Sequence, residues 1–464
     1  VIDRVPASVL YPERRLYLDV LGGRASATRW LPERSAAVEA RRRAEIRLPA
    51  DAVQALREYH HALTGSPATR RNVEALGDAG TVCVVAGQQA GFLGSPLLTA
   101  HKIVSAVRAA ERIGRELGVR AVPIFWLASE DHDFGEIHRA RYVDGNGDLR
   151  TISFDWADRG RPIEAMPSGP ALEAARVARD SLGLGREWET FEPDAGDDYA
   201  RWHARIWLRL FSNSGLVVVE PRLLRPFGGE IVDRAVAERA GIKHDLARRA
   251  AALRGDGYEP PLDPATVGGV FVFDCEGRRV RPTGEIAPGE ARRNPERFSP
   301  DVALRPVVAD ALLPTVANVL GPSELEYHAM LEPIYRRLEV APPAAIPRSG
   351  FTLLTVSDAR LLERLGAEPA DVLTGRADLS GRVRAAGDPE LAARFAEVRA
   401  MVARALAPLE STVEGIDPGL AARSRQVRDR ADREIEGLAD RAARADLARR
   451  GLSARAARAV AAFV

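Results

Sequence analysis

The chain has 464 residues, 46% of them hydrophobic, enough for two or three domains around a large buried core. Lys and Arg number 66 against 65 Asp and Glu, a formal charge of +1, so no excess positive field marks nucleic acid or a membrane as the partner and small-molecule substrates are expected. Two cysteines, Cys83 and Cys275, exclude a disulfide framework and point to a reducing compartment. No apolar run reaches the roughly 18 residues needed to span a bilayer, and the start lacks a signal-like pattern, so a cytoplasmic protein is expected. The first residue is Val, as in a trimmed or processed sequence.

Residues 1–80 are rich in Arg, Ala and Glu, with helical spacing over Ser35–Arg47 and Ala52–Leu63, and read as a helical lead-in. The apolar runs Val82–Val85 and Val122–Leu127 each end in a polar loop, and the segment between them reads as a crossover helix, giving a βαβ unit. Ligands of open parallel sheets sit outside the carboxyl ends of the strands, which is where Gly87-Gln88-Gln89 and Glu130-Asp131-His132-Asp133 fall. Lys102, in the first of these loop-helix motifs, and Lys243 are the only lysines in an arginine-rich chain.

Beyond the unit, Tyr142–Phe154 reads as a hairpin around Asp144-Gly145-Asn146-Gly147, and Ala171–Leu182 as a helix. Trp202–Phe211 followed by Gly215–Glu220 continues the α-β alternation, and Val270–Asp274 with Arg278–Pro282 suggests a second hairpin. Val316–Leu320 leads through Gly321-Pro322 into a helix that Ser323, Glu324 and Glu326 would favour at its start, and Ala344–Arg348 reads as a short strand. Near the end, Leu391, Phe395, Val398, Val402, Ala405 and Leu409 step by fours and threes, as do Leu420, Ser424, Val427, Ala431, Ile435 and Leu438, with a turn at Gly415–Gly419. These predict an antiparallel helical arm of coiled-coil type; the alternative is two amphipathic helices packed on the body.

Gly87-Gln88-Gln89-Ala90-Gly91 with Ser95-Pro96 and His101-Lys102, then Phe125-Trp126 with Ser129-Glu130-Asp131-His132-Asp133, resemble the bacillithiol biosynthesis cysteine-adding family, BshC. Leu304-Arg305-Pro306-Val307, Leu313-Pro314-Thr315, Gly321-Pro322 with Glu324 and Tyr327, and Pro347-Arg348 extend the resemblance in order over most of the chain. It departs at Ala309, where the family usually has Gln before the acid matching Asp310, and at Ser323–Glu326, where small residues are usual. The resemblance implies an α/β fold: a Rossmann-like parallel-sheet core with inserted connecting-peptide subdomains and a C-terminal coiled-coil arm that mediates a homodimer. The organisation expected is a lead-in over 1–80, a core over 81–385 with insertions at about 142–200 and 255–300, an arm over 386–450 and a tail over 451–464. The activity implied is addition of cysteine to glucosaminyl malate, the last step of bacillithiol synthesis.

Joining a carboxylate to an amine in water is uphill, so a ligase converts the carboxylate to an acyl phosphate or adenylate, and ATP with Mg²⁺ is the cofactor expected. Gly87, Gly91 and Gly94, with a helix opening near Ser95, suggest a phosphate cradle. Gln88, Gln89, Ser95 and Thr99, with Lys102 three residues beyond Thr99, are the expected nucleotide or substrate contacts, ahead of His101; the alternative is that Thr99 and Lys102 serve only the helix. Glu130, Asp131, His132 and Asp133 are the candidate catalytic group: crowded acids need a cation, a substrate ammonium or hydrogen bonds, and His132 suits proton transfer or a polar contact at the reacting carbonyl. Mg²⁺ carried by a nucleotide would suit the carboxylates, though no metal ligands are assigned, and a capped, solvated acidic turn is the plain alternative. Arg305 and Arg348, with Arg281 as a further candidate, suit the two carboxylates of malate, while Asp310, Gly321, Glu324 and Tyr327 complete the expected binding set. Competing readings are a nucleotidyl-transferring or synthetase-like enzyme with another acceptor, and a nonenzymatic nucleotide-binding scaffold.

Overall fold

The computed structural model describes residues 4–32, 45–144, 149–354, 356–374 and 388–449, together with Ser35, Glu39, Arg43 and Arg382. The predicted tail over 451–464, the turn residues 145–148 and most of the predicted helix Ser35–Arg47 lie outside the described residues.

Five parallel strands form the central sheet in the order β10-β9-β1-β2-β5. They are β1 (Val82–Gln88), β2 (Ala121–Leu127), β5 (Val217–Val219), β9 (Thr315–Leu320) and β10 (Ala344–Pro347). Burial of successive residues on opposite faces explains the unbroken apolar sequence of β1. Cys83 and Val85 pack with Val53 and Leu56 of helix α1 (Ala50–Leu63), whereas Val82, Val84 and Ala86 pack with Ala106 and Ile113 of helix α2 (Leu98–Leu117). Pro123 is tolerated inside β2 because β5 pairs only from Ile124 onward, so its missing N–H removes no bond on that side. Burial holds the Cys83 thiol protonated, and Cys275 is exposed.

From β1 the chain moves one way to β2 and β5, then returns to the other side of β1 with β9 and β10. This reversal makes the crevice beyond β1 and β9 the switch point at which such sheets bind ligands. Two small sheets lie outside the central one. β3 (Arg139–Val143) and β4 (Leu149–Ser153) form the expected first hairpin. The second hairpin, β6 (Val270–Phe273) with β7 (Arg279–Val280), gains a third strand, β8 (Phe298–Pro300), on its other edge. The helix predicted over Trp202–Phe211 is α3 (Tyr199–Leu210), begun one turn earlier because Asp198 accepts from Arg201 N.

At the C-terminal end, α5 (Pro389–Glu414) and α6 (Pro418–Arg449) lie against each other, and Arg399 makes a two-pronged pair with Asp432 at 2.7 Å and 2.7 Å; helix α4 belongs to the site below. The half-buried seam of α5 runs through Leu391, Phe395, Val402, Leu406 and Val413, so Leu406 and Val413 take the inward places assigned to Ala405 and Leu409, which are exposed. Among the described residues no helix is long and apolar enough to cross a membrane.

His60 of α1 ties this helix to the sheet: its Nε2 accepts from Val218 N at 3.0 Å, which leaves Nδ1–H to donate to Leu56 O at 2.7 Å. Burial lowers its pKa from 6.5 to about 4. The unfolded chain therefore binds the extra proton between those values, and this contribution to stability is present above pH 6.5 and is lost as pH falls toward 4. In urea unfolding, His60→Leu should lose about 1–3 kcal/mol at pH 7.5 by stranding the Val218 N–H. Its stability should also fall less than that of the parent between pH 6.5 and 4.5; parallel profiles would contradict the assignment.

Candidate active site

Beyond the ends of β1, β2 and β9 lies a cavity of about 1000 Å³. It is lined by Gly87, Gln88, Gln89, Lys102, Glu130, Asp131, His132, Asp133, Arg305, Gly321, Glu324, Tyr327 and Arg348, all of them expected from the sequence. The central feature is Lys102, on the first turns of α2 and only 3% exposed. Its ammonium donates to Gly87 O at 2.7 Å and Gln88 Oε1 at 2.7 Å, and meets Glu324 Oε2 at 2.8 Å. An ammonium has three N–H groups, so all three are used within the protein, and Lys102 fastens the strand ends where a direct ligand contact was expected. Burial lowers its pKa, and Glu324 opposes that shift.

Glu324 belongs to helix α4 (Pro322–His328) and reaches back to accept from Gly321 N at 2.8 Å, so this carboxylate caps the helix where Ser323 was expected to. Two glycines keep the crevice open. A Cβ on Gly87 would sit 3.3 Å from Arg305 Nη1, and one on Gly321 would sit 3.3 Å from Arg348 Nε. The guanidinium groups of Arg305 and Arg348 therefore converge where β1 and β9 end, and they fit a carboxylate or phosphate alike. Burial raises the pKa of Tyr327, with the Arg305 cation opposing.

The opposite wall is the acidic turn after β2. Glu130 is 3% exposed and 3.6 Å from Arg225; burial raises its pKa despite Arg225 and Arg279. Asp131 Oδ1 accepts from His132 N at 2.8 Å. Asp133 caps the short helix Phe134–Ile137 by accepting from Gly135 N at 3.0 Å, so the plain capping role applies to this acid. His132 Nδ1 lies 3.2 Å from Arg279 Nη1, and burial and Arg279 lower its pKa against Asp131 and Asp133. Among the described residues no group of three or more His, Cys, Asp or Glu side chains is arranged to hold a metal ion.

Five expected binding residues do not line the cavity: Gly91, Gly94, Ser95, Thr99 and Asp310. A Cβ on Gly91 would collide with Ser95 O at 1.6 Å, and one on Gly94, whose φ is +78°, would meet the Trp207 ring at 3.2 Å. These glycines make a tight turn packed on α3, and α2 begins only at Leu98. Thr99 is fully buried. Asp310 lies five residues beyond Arg305 on the helix Leu304–Leu312, hence on another face, and accepts from Asn318 at 3.1 Å and Tyr335 at 2.5 Å. The His101 ring lies against that of Phe351, centres 4.0 Å apart and planes tilted by 45°.

Tyr11, Arg14, Phe271, Arg279 and Asp301 also line the cavity and were not expected. The hairpin that carries Phe271 and Arg279 was legible, but its position over the β2 loop, 147 residues away from Arg279, left no mark in local periodicity.

A parallel sheet with a polar, two-signed crevice at its switch point defines an α/β protein whose cavity fits small charged molecules. The profile of the family described as "Bacillithiol biosynthesis BshC, N-terminal Rossmann-like domain" matches residues 25–349. Proteins named "Putative cysteine ligase BshC" are similar: that of Geobacillus kaustophilus is 31% identical over 396 residues, 79% of this chain and 73% of the relative. The Geobacillus thermodenitrificans protein is 30% identical with the same shares, and that of Bacillus cereus strain ZK / E33L is 30% identical over 408 residues, 80% of this chain and 74% of the relative. The chain belongs to the BshC family of bacillithiol biosynthesis.

If the Lys102–Glu324 pair fastens the crevice, removing one partner strands a buried charge. Glu324→Ala and Lys102→Met should each cost about 3 kcal/mol in chemical unfolding. The double variant should cost clearly less than the two together; strict additivity would show that the pair does not couple.

Proposed function

We propose that this ligase adds cysteine to the amino group of glucosaminyl malate, the last step of bacillithiol synthesis. The observation that carries this reading is the presence in one cavity of a basic wall, Arg305 and Arg348, and an acidic turn, Glu130 and Asp131, that also carries His132. Arg305 and Arg348 suit the malate carboxylates, and the acidic turn suits an ammonium group. The Gly87–Gln89 backbone and Gln89 lie beside the space between the walls and supply polar contacts to the sugar or to cysteine. Glu324 and Lys102 keep the crevice in shape.

An amide forms when the amine nitrogen bonds to the cysteine carboxyl carbon, the amine gives up a proton and an activating group leaves the carbon. ATP, when bound with Mg²⁺, would supply that activating phosphoryl or adenylyl group. The residues present make no metal cage among those described, so the reading takes Mg²⁺ to arrive with the nucleotide. The reaction belongs in the cytoplasm, where cysteine is kept reduced.

Purified protein incubated with glucosaminyl malate, cysteine and ATP should give the coupled thiol by mass spectrometry. No product with ATP or with another activating donor would reject the assignment. Arg305→Ala should raise KM for glucosaminyl malate about tenfold or more, because a carboxylate contact is lost.

The α5–α6 pair is proposed as a coiled-coil arm whose outer face is covered by a second copy of the chain. Val398, Leu409, Leu420, Val427 and Leu438 are exposed along it, more apolar surface than an isolated hairpin needs. In sedimentation experiments at micromolar concentration, Val427→Asp combined with Leu438→Asp should convert a dimer to a monomer. A dimer unaffected by both changes would place the contact elsewhere.

A further inference from the structure

We propose that Arg279 is a positioning residue that fixes His132 in one neutral tautomer, with the proton on Nε2, so that the imidazole serves the cavity as a hydrogen-bond donor and not as a base. Arg279 Nη1 lies 3.2 Å from His132 Nδ1. A guanidinium carries donors only, so this contact requires a lone pair on Nδ1, and the single proton of a neutral imidazole must then sit on Nε2.

Arg279 has little freedom to turn away. Its Nε donates to Ser299 Oγ at 2.8 Å, its Nη2 to Pro300 O at 3.0 Å and its backbone N to Gly160 O at 2.9 Å. Its Cζ also lies 3.9 Å from the centre of the Phe271 ring, which meets the His132 ring edge-on at 5.9 Å. The same aromatic ring therefore steadies both members of the pair. The rival partner for Nδ1 is Asp131 Oδ1, which would favour the other tautomer. It stands 3.7 Å away, beyond hydrogen-bond range, and already accepts from the His132 backbone N–H at 2.8 Å.

The charged groups facing the imidazole are Arg279 from β7 and, on its own loop, Asp131 and Asp133. Protonation of His132 would set two cations 3.2 Å apart, nitrogen to nitrogen, which agrees with the lowered pKa. Its consequence for chemistry rests on the ligase reading. An Nε2–H suits the oxygen of the activated carboxyl as negative charge builds there during amine attack. The proton released by the amine then goes to a carboxylate of the same turn.

The tautomer can be read without any substrate. Full-length protein labelled with ¹⁵N-histidine, with the His132 signals assigned by their loss in His132→Gln, should show the Nε2–H pattern at pH 7.5 and a titration midpoint below about 6.5. An Nδ1–H pattern, or averaging of the two, in the unaltered protein would overturn the proposal whatever the substrate proves to be. In Arg279→Met the two patterns should average and the midpoint should rise. In the same variant kcat should fall about tenfold or more, with KM changing little. Arg279→Lys, which keeps a donor and the charge, should preserve the tautomer at least in part, and an unchanged His132 spectrum in Arg279→Met would refute the positioning role.

Discussion

A primary ammonium placed where water cannot reach it must find an acceptor for each of its three N–H groups, and this requirement at Lys102 organises the ligand end of the molecule. Its acceptors come from the last two residues of β1, Gly87 and Gln88, and, through Glu324, from the helix after β9. The two strands are neighbours in the sheet but distant in the chain, and hydrogen bonding along β1 and β9 ends before Gly321. The pair continues the connection past the last strand bonds and sets the width of the crevice. Glu324 is held in turn by the Gly321 N–H, so the charge that neutralises Lys102 also closes the helix end beside which Arg348 lies.

Because Lys102 is internally satisfied, the ligand contacts proposed above fall to groups with spare donors. Arg305 and Arg348 gather at the two glycines, while Glu130, Asp131 and His132 stand on the β2 side. Opposite charges in one cavity would collapse onto each other unless each were anchored elsewhere. Here the anchors are visible: Glu130 is buried beside Arg225, which also binds Glu164 at 2.9 Å, and Arg279 is pinned by Ser299 and Pro300. Such a surface is prepared for a ligand, or a pair of ligands, carrying both an anionic and a cationic end.

The parallel core was legible because the stretch of a strand buried on both faces must be apolar, as β1 is over Val82–Ala86 and β2 is throughout. The loops after them were legible because polar residues directly beyond such strands have few places to go except the sheet's open edge. Less was legible where a choice of helix face or helix start intervened. Ser95 and Thr99 were expected at the ligand on the assumption of a helix opening near Ser95, but the chain first makes a tight turn through Gly91 and Gly94, and α2 starts at Leu98. Thr99 and Lys102, three residues apart, are separated by about 60° around the axis. That is enough for one to enter the core while the other reaches Gly87. Asp310 was misplaced for a similar reason, since helical phase sends it away from Arg305 into a buried polar knot with Asn318 and Tyr335.

Arg279 illustrates a different limit. Its strand carries the alternation of an edge hairpin, in which an arginine is ordinarily a solvated residue, and the chain contains many arginines. What gives it a role is the third strand, β8, which supplies the Ser299 and Pro300 acceptors and turns the guanidinium inward over Phe271. The central sheet alone could hold His132 at a strand end, but it offers only Asp131 and Asp133 to set the state of the ring, and both favour a charged imidazole. The three-stranded sheet brings the opposing charge. The two sheets thus divide the work, the central one fixing where the imidazole stands and the smaller one fixing which of its nitrogens carries the proton.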